Sequence, residues 1–152
     1  MHNAEGWQQG NLLEIEIKDL NSQGDGVGRL GNQVVFVPNT VPGDRALIRL
    51  VYLKRHYARG QLHQLIQPSP HRIRPRCIVA DKCGGCQWQH IDDDYQLHTK
   101  HHQIIQALTR IGGFSDPPVA PPLTASASLG YRNKATYPLD ISATGKVQTG
   151  YY

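Results

Sequence analysis

Between Leu12 and Ile66 the chain repeatedly alternates apolar and polar residues, with turn residues at short intervals, and this pattern most restricts the fold. Leu12–Leu20 places Leu13, Ile15 and Ile17 on one side of a strand and Glu14, Glu16 and Lys18 on the other. Gly26–Leu30 is a short glycine-bearing strand, and Gly31-Asn32 is a tight-turn signal. Val34–Val37 is a buried strand ended by Pro38. In the run Arg45–Lys54, Ala46, Ile48 and Leu50 oppose Arg45, Leu47 and Arg49. Ala58–Ile66 is the fifth strand, with Leu62 and Ile66 among its apolar positions. Five short strands joined by small turns predict a small, closed or nearly closed barrel of the oligonucleotide-binding kind. A β-sandwich fragment is the competing fold. The fold class is therefore mainly β with one main helix.

The remaining chain divides by composition. Residues 1–10 read as a disordered leader, in which Trp7 has no evident role. Pro68 and Pro70 suggest an extended linker and a boundary near residue 68. The helix begins at Asp92 or Asp93, where an acidic run suits the positive helix end. Leu97, His101, Ile104, Ile105, Leu108 and Ile111 follow as a core-facing stripe, and Gly112-Gly113 ends it. His98, His101 and His102 have no cysteine or carboxylate at a ligand position beside them and are not read as a metal site. Tyr131–Tyr137 alternates like a strand, and Gly145 marks a hairpin turn before Val147–Tyr152.

Charge is unevenly spread. Among the 152 residues the formal charge is +4, but Asp44–Arg76 carries eight Arg or Lys against Asp44 alone. Arg45, Arg49, Lys54, Arg55 and Arg59 lie among Tyr52, Tyr57 and several histidines, a mixture suited to phosphates and unstacked bases. A solvated strand face is the plainer explanation. No run approaches the roughly 20 apolar residues of a membrane helix. Met1–Gly10 has no apolar core of a signal peptide, which with the thiol count points to a reducing cytoplasm.

All three cysteines lie in Cys77-Ile78-Val79-Ala80-Asp81-Lys82-Cys83-Gly84-Gly85-Cys86. Two residues between Cys83 and Cys86 let both sulfurs turn toward one metal or cluster, and Gly84 and Gly85 permit the bend. Three readings remain open from spacing: a [4Fe–4S] cluster with a fourth ligand from elsewhere, zinc with His90 completing the set, or a Cys83–Cys86 redox pair. The third cysteine disfavours the redox pair, and the lack of a second ligand pair disfavours a zinc ribbon.

Three stretches resemble one family. Gly24-Asp25-Gly26-Val27-Gly28-Arg29 with Val35–Pro38 and Val41–Asp44 looks like a TRAM barrel; Cys77…Cys83–His90 with Tyr95…Gly113 looks like a cluster loop and its helix; Tyr131–Ala135 with Gly150-Tyr151-Tyr152 looks like a central β domain. Together they resemble the N-terminal half of the iron–sulfur, S-adenosylmethionine-dependent RNA (uracil-5-)-methyltransferases. The resemblance implies a barrel over 11–67, a linker and cysteine loop over 68–91, and a helix with an incomplete β domain over 92–152. It implies that Cys77, Cys83 and Cys86 ligate a [4Fe–4S] cluster whose fourth cysteine lies beyond residue 152. The S-adenosylmethionine domain, with its nucleophilic cysteine and general base, would also lie beyond, so no catalytic role falls on residues 1–152 and the chain alone is expected not to methylate. RNA, ribosomal or transfer, is the implied partner, with Arg45, Arg49, Lys54, Arg55 and Arg59 on phosphates and Arg132 and Lys134 along the RNA path. A stand-alone RNA-binding protein, or a zinc or iron–sulfur protein without methyltransferase activity, is the alternative.

Overall fold

A computed structural model describes residues 6–151. Its strands are β1 (Leu12–Leu20), β2 (Gly26–Leu30), β3 (Gln33–Val37), β4 (Arg45–Leu53) and β5 (Tyr57–Gln67). They close into a barrel in the order β1-β2-β3-β5-β4, with β4 returning to β1. Every pairing is antiparallel except β3 with β5. β1 serves two neighbours because its register shifts between Ile17 and Asp19, a bulge that bends the strand around the corner. The competing sandwich is excluded.

The alternating residues turn inward as their period requires. Ile15, Ile17, Val35, Val37, Ala46, Ile48, Leu50 and Ala58 form the core, each at most 3% exposed. So small a barrel has no room for side chains at every inward position. A Cβ on Gly60 would lie 2.6 Å from Ile48 Cδ1. On β5 the sequence pattern needs correction. Leu62 and Leu65 pack on the core, whereas Ile66 is 46% exposed. The β4–β5 ladder shifts register between Arg45 and Ala46 and between Leu47 and Ile48, and each bulge reverses which residues face inward.

Two segments expected to be loose are held against the barrel. Trp7 packs on its core, and Gly10 N–H donates to the Leu50 carbonyl at 2.7 Å, so residues 6–10 are not a free leader; residues 1–5 lie outside the described residues. The proline segment after β5 is not a free linker either. Ser69 is buried, its N–H donates to Asp44 Oδ1 at 2.8 Å and its hydroxyl to the Pro42 carbonyl at 2.6 Å.

Helix α1 (Asp93–Arg110) is capped by Asp92, whose carboxylate accepts the Tyr95 N–H at 2.8 Å. Its first half seats it. Gln96 donates to the carbonyls of Trp88 and Ile91, Thr99 is buried, and Gln103 reaches the Asn21 carbonyl. The apolar stripe is covered less than expected: Leu97, Ile105 and Leu108 are half-buried, Ile104 is 51% exposed and Ile111 is exposed. The strand expected over Tyr131–Tyr137 does not form. The second sheet is a hairpin of β6 (Leu139–Ile141) and β7 (Val147–Thr149), turning at Gly145 with φ +76° as its sequence suggests.

Candidate nucleic-acid interface and cysteine loop

The outer face of β2, β3, β5 and β4 brings dispersed residues together. Registers place Val27, Phe36, Arg59 and Tyr52 in one row across four strands, and Arg29, Val34 and Tyr57 in the next. Tyr52 joins its row because the ladder slips between Leu50 and Tyr52, leaving Val51 as the extra residue. Lys54 Nζ stands 5.1 Å from the centre of the Tyr52 ring. The Lys54 ammonium beside Tyr52 draws that phenol below its ordinary pKa. Arg49 lies further along β4, exposed, with one N–H 3.3 Å from the Gly10 carbonyl. Two acids border this face: Asp25, whose carboxylate is 3.2 Å from Arg59, and exposed Asp19, opposite Val27 on β1. The Arg59 side of the first pair is half in solvent, where a single ion pair contributes on the order of 1 kcal/mol.

The basic residues singled out from sequence therefore separate. Arg49, Lys54 and Arg59 share the aromatic face. Arg55 is exposed in the β4–β5 turn beside it. Arg45 lies at the other end of β4 from Tyr52, paired with Glu14 and in register with Glu16. Arg132 and Lys134 lie in the extended segment before β6, where the Arg132 guanidinium stands 5.6 Å from the Tyr131 ring centre. Arg29 and Phe36 were not identified as site residues from sequence. The signal was present: alternation that turns Val35 and Val37 inward turns Phe36 outward.

The cysteine loop is a lasso with a fixed neck. Arg72 and Ile91 form an antiparallel bridge, and Ile73 N–H donates to the His90 carbonyl at 3.0 Å. One side of the neck is clasped by Asp44. This fully buried carboxylate accepts Arg72 Nε at 3.1 Å and Nη2 at 2.6 Å, and also the N–H groups of Val41 and Ser69. Burial pushes its pKa up, but the hydrogen bonds from Arg72, Ser69 and Val41 outweigh this and hold it below the usual value. The other side is apolar, with Ile91 buried against Leu20 and Val41 beside Trp88 and Tyr95.

Trp88 needs a glycine opposite it. A Cβ on Gly24, at φ +91°, would lie 2.1 Å from Trp88 Nε1. Gly24→Ala is expected to displace the indole and cost about 1–3 kcal/mol. In a Trp7→Phe background Trp88 is the remaining tryptophan, and its emission should shift to the red; an unchanged spectrum and melting temperature would refute this packing.

Beyond the neck, Cys77 and Cys86 are exposed and Cys83 is half-buried, all as free thiols. Among the described residues, no three His, Cys, Asp or Glu side chains gather closely enough to hold a metal ion. Three soft sulfurs project from one loop, a donor set suited to zinc or to an iron–sulfur cluster, and Gly85 N–H lies 3.4 Å from Cys83 Sγ. His90, the candidate fourth zinc ligand, is buried toward the barrel with Nε2 3.4 Å from the Thr40 carbonyl. Its burial disfavours the imidazolium and lowers its pKa. Between the loop, α1 and residues 128–132 lies an open cleft of about 650 Å³, lined by Cys86, Trp88, Arg76, Lys100, Tyr131 and Arg132 among others.

Residues 6–63 match the family model of the TRAM domain. Across 96% of its length the chain is 70% identical to an uncharacterized RNA methyltransferase of Nostoc sp. and 60% identical to one of Synechocystis sp., covering 32% of each. A Bacillus cereus relative of the same description is 37% identical over 95% of this chain and 31% of its own. The chain thus spans about a third of the length of the curated relatives it matches. Among solved structures, the Pyrococcus abyssi tRNA (uracil-54, C5)-methyltransferase is 34% identical, with a TM-score of 0.44 over 66% of this chain and 21% of that one. A conserved Methanococcus maripaludis protein is 30% identical, with a TM-score of 0.36 over 38% of this chain and 81% of that one.

Proposed function

Because residues 6–63 are a TRAM domain and the chain is related along nearly its whole length to RNA methyltransferases, we propose that it is the RNA-holding and cluster-holding part of an S-adenosylmethionine-dependent RNA uracil-5-methyltransferase. The carrying observation is the barrel face on which Arg29, Arg49, Lys54 and Arg59 surround exposed aromatic rings. Phosphates are held by such cations at a cost in salt sensitivity, because each one neutralised releases counterions. The uracil-5 assignment rests on the cysteine-loop motif, Cys77…Cys83-Gly84-Gly85-Cys86-Gln87-Trp88-Gln89-His90, together with the helix that follows it.

In this reading Cys77, Cys83 and Cys86 hold three irons of a [4Fe–4S] cluster, and the fourth ligand comes from outside residues 1–152. Such a cluster, when bound, orders its loop and offers one-electron chemistry. The protein's own residues would hold the loop that carries it: Asp44 and Arg72 anchor one side of the neck, and Trp88 against Gly24 the other. Arg132 and Lys134 then lie on the route between the loop and a bound RNA. The target, ribosomal or transfer RNA, follows from the same family reading.

The test uses the 152-residue chain purified without oxygen. Reconstitution with iron and sulfide is expected to give broad visible absorption that is lost in Cys83→Ser/Cys86→Ser. One bound zinc without iron would reject the cluster. RNA binding, measured separately by anisotropy at low salt, is expected to be present; its absence would reject the RNA-holding role. Incubation with S-adenosylmethionine and RNA is expected to transfer no methyl group, and 5-methyluridine formed by this chain alone would overturn the division of labour.

A further inference from the structure

Phe36, Tyr57 and Tyr52 form a zigzag row of rings across β3, β5 and β4, with Tyr57 one outward step along β5 from the Phe36–Arg59–Tyr52 register. Phe36 and Tyr57 have ring centres 6.0 Å apart at 65°, and Tyr57 and Tyr52 have centres 5.9 Å apart at 42°. At these angles neighbouring rings meet edge to face or tilted rather than in a parallel stack. Tyr52 and Tyr57 are 40% and 39% exposed. Aromatic rings on an outer sheet face commonly do no more than pack across strands. Two features go further here. A bulge has been spent to set Tyr52 opposite Arg59, and positive charge borders the row: Lys54 over the Tyr52 ring, Arg59 between Phe36 and Tyr52, Arg29 and Arg49 at its flanks.

Resting on the RNA-holding role proposed above, we infer that this row is a stacking platform for unpaired bases, so that the barrel takes a single-stranded stretch of RNA in preference to a duplex. A base in a duplex already stacks on its neighbours above and below and offers no free face. An unpaired base can lie on Tyr57, or on Tyr52 once Lys54 swings from that ring to a phosphate, and every base has such a face, so the platform tolerates any sequence. Positive charge prevails: Arg29, Arg49, Lys54 and Arg59 stand along this face against Asp25, itself paired with Arg59, and Asp19 at the β1 end of the row.

The experiment measures anisotropy of the 152-residue chain with a labelled oligouridylate and with an RNA duplex carrying the same number of phosphates, at one low salt concentration. The unpaired strand is expected to bind more tightly. Tyr52→Ala/Tyr57→Ala should weaken it by roughly fivefold to a hundredfold, with the duplex changed far less. Tyr52→Phe/Tyr57→Phe should restore it, since the rings remain. Phe36→Leu, which keeps bulk and removes a ring, guards against loss of fold in the double variant and should also weaken the unpaired strand selectively. Equal loss for both RNAs, or no loss in either aromatic variant, overturns the platform while leaving RNA binding through phosphates intact. Binding of neither RNA by the unsubstituted chain overturns both.

Discussion

Asp44→Ala is expected to lower the stability of the barrel by about 3 kcal/mol and its melting temperature by roughly 10–20 °C. The carboxylate is fully buried and accepts four hydrogen bonds, two of them from Arg72. Alanine leaves the N–H groups of Val41 and Ser69 without acceptors and strands the guanidinium. The estimate sits at the low end for breaking a buried pair because the Arg72 side chain retains 16% of its exposure and can take up water. Replacing both partners, as in Asp44→Leu/Arg72→Met, should cost less than the single change, since no uncompensated charge remains. Limited proteolysis should localise the damage to the loop neck at Pro68–Pro75. If the single variant melts with the parent, the clasp contributes nothing. The same group sets an acid limit. Its folded pKa lies below the ordinary 3.8, so its stabilisation is complete above about pH 4–5 and is lost as pH falls through the lowered value. His90 acts earlier: held neutral by burial, it withdraws stability as pH falls below its ordinary 6.5. A melting temperature flat from pH 7 to pH 5 would contradict the His90 effect, and one flat from pH 4 to pH 2 the Asp44 effect.

The second large effect is on RNA affinity. Arg49→Gln/Lys54→Gln/Arg59→Gln is expected to flatten the log–log salt dependence of single-strand binding by about 2, because each lost phosphate contact removes about 0.7 from the slope. Between 50 and 200 mM salt the unsubstituted chain should then lose about twentyfold more affinity than the variant. Arg45→Gln is the internal control. Arg45 is held by Glu14 at the other end of β4 from Tyr52, so its removal should leave the slope nearly unchanged. Should Arg45 matter as much as the other three together, the RNA runs along β1 and the face described here is wrong.

What could be read from sequence follows the range of the interactions responsible. Strands β1 and β2 begin and end where alternation and glycine place them, and Ile15, Ile17, Ala46, Ile48 and Leu50 face inward as their period requires. Helix α1 starts at the Asp92 cap for a local reason, a carboxylate within reach of Tyr95 N–H. Bulges are different. Nothing near Ile66 announces that the β4–β5 ladder slips and hands its inward position to Leu65. Nor could local pattern show that Pro68–Pro70 is pinned, because the partner of Arg72 and Ser69 is Asp44, more than twenty residues earlier. Asp44 itself read as a turn residue. Tyr131–Tyr137 had the alternation of a strand but pairs with no strand among the described residues. The cation set was legible as a cluster in sequence, yet only the registers separate Arg45 from Arg49, Lys54 and Arg59.

The parallel joint between β3 and β5 completes a circuit of main-chain hydrogen bonds around the barrel. At that joint, Val34–Phe36 against Tyr57–Arg59, the amides and carbonyls are engaged and no visiting strand can be knitted in. What the aromatic face around the joint recognises is therefore grasped by side chains. Its selectivity can therefore change one residue at a time while the scaffold beneath stays the same.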